Sequence, residues 1–167
     1  MEKKDNLLEN FKIAITSTVK SISNVENIDV IFGSQKKTSD NIVINLPEPE
    51  NTNNKINFIK ARAKADSEAL KIRYSNKNIL KLKEPKGNVS KQLYSIAEKI
   101  RYEKLGSDEF RGVKNNIYNH YFERLNSLDL SKDENKKIEA FENYLRVNIL
   151  ELKNKKEIEK KFKAYQK

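Results

Sequence analysis

The apolar positions of this chain fall mostly at helical spacing. Between residues 5 and 23, Leu8, Phe11, Ile15 and Val19, with Leu7 and Ile22 beside them, recur at three and four places while Lys and Glu take the other side. That period predicts an amphipathic helix. The pattern then shortens. Asp29-Val30-Ile31-Phe32 and Asn41-Ile42-Val43-Ile44-Asn45-Leu46 are β-branched and aromatic, and predict two short strands. Gly33-Ser34 and Thr38-Ser39-Asp40 between them are turn formers, so a hairpin or two neighbouring strands is expected. Leu46-Pro47-Glu48-Pro49 stops the second strand, because proline lacks a backbone donor and restricts the residue before it. Residues 50–55 read as a polar linker.

Helical spacing returns from Lys55 to Tyr74. Ala61, Ala65 and Ala69 stack one turn apart, which lets another helix approach closely, and the helix beginning near Ser90 is the expected neighbour. Ile59, Ala63, Asp66, Leu70 and Arg73 share an adjacent face. Residues 76–87 form a connector with Ile79, Leu80 and Leu82 turned inward, and Ser90 is the predicted N-cap of the next helix. The stretch Gln92–Gly112 organises the rest. Leu93, Ile96, Ala97 and Ile100 make one stripe; Tyr94, Glu98, Arg101, Tyr102 and Leu105 make a second; Gly106 supplies the residue favoured just past a helix end. A helix with apolar character on two sides belongs in the middle of a domain. Glu98, Arg101 and Glu103 then need partners close by, and Asp66 and Arg73 are expected to pair across to this helix.

Ser107–Phe110 begins a further helix or a capped turn, and the helix carries Val113, Ile117, Tyr118 and Tyr121 as far as Leu125. After a break at residues 126–130, Ser131-Lys132-Asp133-Glu134 has the form of a capping box. It precedes a helix with Ile138, Phe141, Leu145 and Ile149 on one side. The final stretch, ELKNKKEIEKKFKAYQK, carries seven lysines against three glutamates and reads as a frayed basic helix. The predicted fold class is mainly α (α+β): a helical domain with a small two-stranded β element near its start. Its parts are a helical domain over residues 1–127, an additional helix packed on it over 128–150, and a lysine-rich tail over 151–167.

Composition narrows the functions. The 167 residues are about one domain, with 35% charged and 37% apolar residues and no cysteine, which excludes disulfides and thiolate metal sites and fits a reducing compartment. His120 stands alone, leaving little material for a histidine metal centre. No apolar run approaches the roughly 20 residues of a membrane span, and the N-terminus lacks the form of a secretory signal, so a cytoplasmic protein is expected. Net charge is +10, but Lys and Glu are mixed along the helices, the usual pattern of solvated faces. Tyr102, Phe110, Tyr118, Tyr121 and Phe122 keep helical spacing, which makes them core residues before base-stacking ones. The four glycines, Gly33, Gly87, Gly106 and Gly112, are far apart, so there is no phosphate-cradling loop.

Several segments resemble one known family. Arg62-Ala-Lys-Ala-Asp66-Ser67-Glu-Ala69-Leu70-Lys-Ile-Arg73-Tyr74 resembles the "RG-x-ADS-x-ALRLRYHD" segment of the CobT subunit of aerobic cobaltochelatase. Ile96-Ala-Glu98-Lys-Ile-Arg101-Tyr-Glu103-Lys-Leu105-Gly106 resembles that family's "VE-x-x-R-x-EALG". Phe110-Arg111-Gly112-Val113-Lys-Asn-Asn116 resembles "M-x-GVAxN", and Leu46-Pro47-Glu48-Pro49 matches "LPEP". The likeness runs in order from about residue 11 to residue 125. It departs at Lys64, where the family commonly has histidine, and at Ser75-Asn76, which replaces His-Asp.

The resemblance implies a subunit of the ATP-dependent enzyme that inserts Co(II) into hydrogenobyrinic acid a,c-diamide. Its partners would be an AAA+ ATPase ring and a large tetrapyrrole-binding subunit, in an oligomeric complex without membrane attachment. ATP, Mg and Co(II) would be handled by those partners, with no cofactor or catalytic residue in this chain. Full-length members continue into a von Willebrand A domain with an Asp-x-Ser-x-Ser metal motif; that motif is absent here, so the resemblance covers the N-terminal region alone, whether as a fragment or a short form. The order strand, "LP", helix and Glu-x-x-Arg-x-Glu helix also resembles a degenerate zinc-peptidase-like layout, but zinc takes about three imidazole or carboxylate ligands, and the first helix has no histidine. Asp66, Arg73, Glu98, Arg101 and Glu103 are therefore candidates for a structural network or a partner contact, with no metal site. The alternative is a small basic helical nucleic-acid-binding domain.

Overall fold

The computed structural model describes residues 2–34, 40–49, 55–127 and 137–152, with Lys156 and Glu159. Among these the chain is mainly helical. The order is α1 (Glu2–Ser23), β1 (Ile28–Phe32), β2 (Ile42–Leu46), α2 (Lys55–Tyr74), α3 (Lys77–Lys83), α4 (Asn88–Glu109), α5 (Arg111–Ser127) and α6 (Lys137–Ile149). The Ser131–Glu134 capping box and most of the lysine-rich tail lie outside the described residues.

On α1 the predicted stripe faces inward: Ile15, Val19 and Ile22 are buried, while Leu7 is exposed. Asn24, with φ 56°, ends the helix in the left-handed conformation that asparagine tolerates. The strands are neighbours but parallel, with Ile28 opposite Ile42 and Phe32 opposite Leu46. The hairpin alternative is thus set aside. Ile28, Phe32, Ile44 and Leu46 join α1 and α2 in one apolar cluster. A Lys12–Glu48 ion pair of 2.7 Å ties the proline segment after β2 back to α1.

The most enclosed helix is α2, not the central helix expected from sequence. It packs on α1, α4 and α5, and its Ala61, Ala63, Ala65, Asp66, Ser67, Ala69 and Leu70 are all buried. Small side chains on several sides make this possible, since neighbouring backbones can close in from each direction. Towards α1, Phe58 meets Phe11 edge-on with centroids 4.7 Å apart, and the Arg62 guanidinium lies over the same ring.

Three boundaries differ from expectation. Gly106 does not end α4: the helix continues to Glu109, and Phe110 closes it by donating its N–H to the Gly106 carbonyl at 2.8 Å. The glycine serves a neighbour instead, because a Cβ there would fall 2.1 Å from Leu70 Cδ2. Ser107–Glu109 is accordingly the last turn of α4. The cap of α4 is Gly87 rather than Ser90, with φ 102° and no side-chain bond. Finally, residues 77–83 form a helix rather than an inward-tucked connector. Ile79 and Leu82 are 56% and 78% exposed.

The last helix is turned the other way from its apolar stripe. Ala140, Asn143, Arg146 and Val147 are buried, whereas Phe141 and Ile149 of the expected stripe are exposed. Arg146 on this buried side pairs with Glu103 of α4, beside Ala140 and Val147 in the apolar cluster.

Candidate functional site

The five charged residues singled out by sequence separate into distinct clusters. Glu103 lies at the centre of the largest. Its side chain is 1% exposed and that of Arg146 is 0% exposed; they form an ion pair at 2.5 Å between α4 and α6. The other carboxylate oxygen, Oε1, accepts from Ser67 Oγ at 2.7 Å and from the Tyr121 hydroxyl at 3.2 Å. Arg146 is filled in turn. Its Nε and Nη2 donate to Glu142 Oε1 at 2.9 and 2.8 Å, and its guanidinium stacks 3.7 Å from the Tyr121 ring centroid. Each group thus offsets the desolvation of the other, the condition under which a buried pair is tolerated. Burial pulls the Arg146 pKa down, but Glu103, Tyr121 and Glu142 outweigh it and leave the guanidinium more firmly charged than usual. Burial raises the Glu142 carboxyl, and the same arginine more than reverses that.

Glu98 and Arg101 form a separate pair on the outer side of α4. Arg101 Nε donates to Glu98 Oε2 at 2.7 Å, with the Arg101 side chain 47% exposed. Ser75 donates to the same carboxylate, and Arg101 Nη2 donates to the Tyr74 carbonyl, each at 2.7 Å. The Arg101 hydrogen bonds hold the Glu98 carboxyl below its usual range against the opposing effect of burial, with Ser75 adding to them. Ser75 is therefore part of this surface cluster. Arg73 reaches the last turn of α4, donating to Glu109 at 2.7 Å and to the Ile22 carbonyl at 3.1 Å. Tyr74 bonds the other oxygen of Glu109.

Asp66 turns to α5 rather than to α4. Buried at 2% exposure, it accepts from Asn116 Nδ2 at 2.8 Å. Burial raises its carboxyl pKa; the Asn116 bond and Arg62 oppose that without reversing it.

A small cleft of about 150 Å³ opens beside the buried pair between α2, α4 and α5. Lys64, Ser67, Lys99, Glu103 and His120 are among the residues that line it. Lys64 lines the cleft, and Glu103 is already committed to Arg146. Among the described residues no group of three His, Asp or Glu gathers closely enough to hold a metal ion. His120 is half-buried, and burial, then the positive charges of Arg124 and Lys99, lower its pKa to about 4. The imidazole is neutral at pH 7.

Sequence reasoning did not find Arg146, Glu142, Ser67, Tyr121, Asn116 or Glu109. The one available signal was the Glu142–Arg146 spacing of one helical turn; nothing local points Arg146 at Glu103. Four of the five aromatic residues pack as their spacing predicts, with Tyr102 and Tyr121 buried and Phe110 and Tyr118 against the core; Phe122 lies instead along a surface cleft.

Fold and site together define a mainly helical domain whose carboxylates and guanidinium groups are paired with one another across its helices. The chain belongs to the family described as cobalamin biosynthesis protein CobT, whose model matches residues 5–148. That span includes α6 up to Asn148, so Arg146 lies inside the family region. No solved structure matches the chain. Family membership places the chain in cobalamin biosynthesis.

Proposed function

We propose that the chain serves the ATP-dependent aerobic cobaltochelatase, which inserts Co(II) into hydrogenobyrinic acid a,c-diamide, and that it works by protein contacts with the AAA+ ATPase subunit rather than by catalysis of its own. On this reading the complex is cytoplasmic. ATP and Mg belong to the ATPase, and Co(II) and the tetrapyrrole are substrates of the large subunit. Family membership supports the pathway. The observation that carries the non-catalytic role is the internal commitment of the candidate carboxylates: Glu103 to Arg146, Ser67 and Tyr121, Glu98 to Arg101 and Ser75, and Asp66 to Asn116. A general acid or base needs a free edge within hydrogen-bond reach of a substrate proton, and these groups spend theirs on the fold.

Mixing the purified chain with the purified ATPase subunit tests the reading. A defined complex that persists at moderate salt is expected. Binding instead to duplex or single-stranded nucleic acid, falling steeply as salt rises because phosphate contacts release counterions, would favour the nucleic-acid alternative.

A further inference from the structure

The chain leaves α6 through a built turn. Glu151 sits at φ 55°, and the Leu152 N–H reaches back to the Val147 carbonyl at 3.3 Å. A left-handed residue followed by this long backward bond is the Schellman ending of a helix, in which an apolar side chain folds back on the last turn. Leu152 and Val147 are accordingly both buried in the apolar cluster. Glutamate is a poor residue for the left-handed conformation, and α5 holds it there: the Tyr118 hydroxyl donates to the Leu150 and Glu151 carbonyls. The path of the chain is thus fixed as far as Leu152.

That path ends at the mouth of a cleft. A space of about 530 Å³ opens along α5, with Lys114, Tyr118, Asn119 and Phe122 on its walls and Glu151 and Leu152 at its rim. Fifteen residues, 153–167, follow Leu152. Among them Ile158, Phe162 and Tyr165 recur at four and three places, with lysines between, the spacing of one helical face. Lys156 and Glu159, the described residues of this stretch, are helical. From Lys156 to Tyr165 a helix rises about 15 Å, and the α5 wall from Lys114 to Phe122 about 12 Å. A helix this short is marginal in water unless it packs on something.

We propose that the lysine-rich C-terminal segment folds back into this cleft as an amphipathic helix, setting Ile158 and Phe162 against Tyr118, Phe122 and Leu152 and leaving its lysines in water. The tether selects this occupant. A segment joined to the rim of the cleft meets it at a high effective concentration, whereas a second copy or a separate protein has to arrive from solution. The outer side of α6 also carries apolar residues, Phe141, Tyr144 and Ile149, but the turn at Glu151 carries the chain off that helix and onto the α5 side. The proposal is independent of the function proposed above.

The test uses the full chain, which has no cysteine of its own. Under mild oxidation Phe122→Cys/Phe162→Cys closes a disulfide within one molecule, while Phe141→Cys/Phe162→Cys, which offers the outer side of α6 instead, stays reduced. Independently, Ile158→Asp/Phe162→Asp lowers the melting temperature by about 2–4 °C, and Lys160→Asp, on the opposite side of the same turn, leaves it within about 1 °C. The disulfide decides the assignment, and the melts decide it should the Phe122→Cys variant fail to fold, because the aspartates alter the tail alone. Closure of the Phe141→Cys pair in place of the Phe122→Cys pair moves the seat to α6 and overturns the cleft. Covalent dimers formed through Phe122→Cys/Phe162→Cys make the contact one between copies, which also overturns it. If neither pair closes and the aspartate variant melts like wild type, the segment does not dock.

Discussion

The first half of α4, residues 88–99, buries no side chain, while the second half, residues 100–109, buries Ile100, Tyr102, Glu103, Gly106 and Ser107. Both halves carry carboxylates near cations, and the same residue types do different work in each. Glu98 faces Arg101 at the rim, where water screens the pair and both side chains lose rotamer freedom to meet. Glu103, little more than one turn on, faces Arg146 away from water, where both side chains are fully buried and Arg146 also holds Glu142. Position along a single helix therefore separates a charge the fold depends on from one it tolerates. It also frees the first half for contacts outside the chain.

The contrast breaks most visibly at the buried pair. Arg146→Ala leaves Glu103 charged and enclosed, and should cost about 3–5 kcal/mol, because an uncompensated buried charge remains. Urea or thermal unfolding against wild type measures it. A loss below about 1 kcal/mol, the scale of an exposed pair, would erase the distinction between the two halves.

Gly106 comes next. An added Cβ 2.1 Å from Leu70 Cδ2 cannot be accommodated without movement of a fully buried leucine, so Gly106→Ala should destabilise by about 1–3 kcal/mol despite its better helix propensity. Leu70→Val in the same chain should return part of the loss, since it removes one of the clashing groups. If the pair of substitutions is merely additive, the close approach of α2 and α4 is not what fixes the glycine.

The pH dependence sharpens the comparison from the α5 side. His120 titrates near 4 in the fold and near 6.5 when unfolded. Between these values the unfolded chain binds more protons, so this contribution to stability rises with pH, is fully present above about 6.5, and is lost as pH falls towards 4. Its size is at most about 3 kcal/mol. Melting temperatures of His120→Gln across that window should vary less with pH than those of wild type. The smallest effect belongs to the rim: Arg101→Ala should cost under about 1 kcal/mol, since that guanidinium is half exposed and its partner Glu98 keeps the Ser75 bond.

Much of this architecture was legible in the sequence, and the failures have physical causes. The stripe of Ile15, Val19 and Ile22 and the β-branched strands were legible because their periodicity is local and their burial ordinary. Gly106 misled because glycine has two uses, a backbone conformation and the absence of a side chain, and only the second applies here. The orientation of α6 was hidden for a different reason. Its outward Phe141 and Ile149 look like a core stripe, while Arg146 on its buried side is polar and pairs with a carboxylate on a different helix. Likewise Ile79 and Leu82 look like core residues, and only the fold shows them standing in water. Glu98, Arg101 and Glu103 appeared as one motif, and three-dimensional placement divided it.

Neutralising both members of the buried pair tests the central claim most directly. In Glu103→Gln/Arg146→Met the charges disappear together, Ser67 and Tyr121 keep an oxygen to donate to, and the volumes stay close. The measurement is cobalt insertion by the reconstituted chelatase, with the melting temperature of the variant taken alongside. On the function proposed above, a folded double variant that supports cobalt insertion at the wild-type rate is the predicted result, because on that reading Glu103 holds the fold together. A double variant that folds and binds the ATPase but no longer supports insertion would contradict the account.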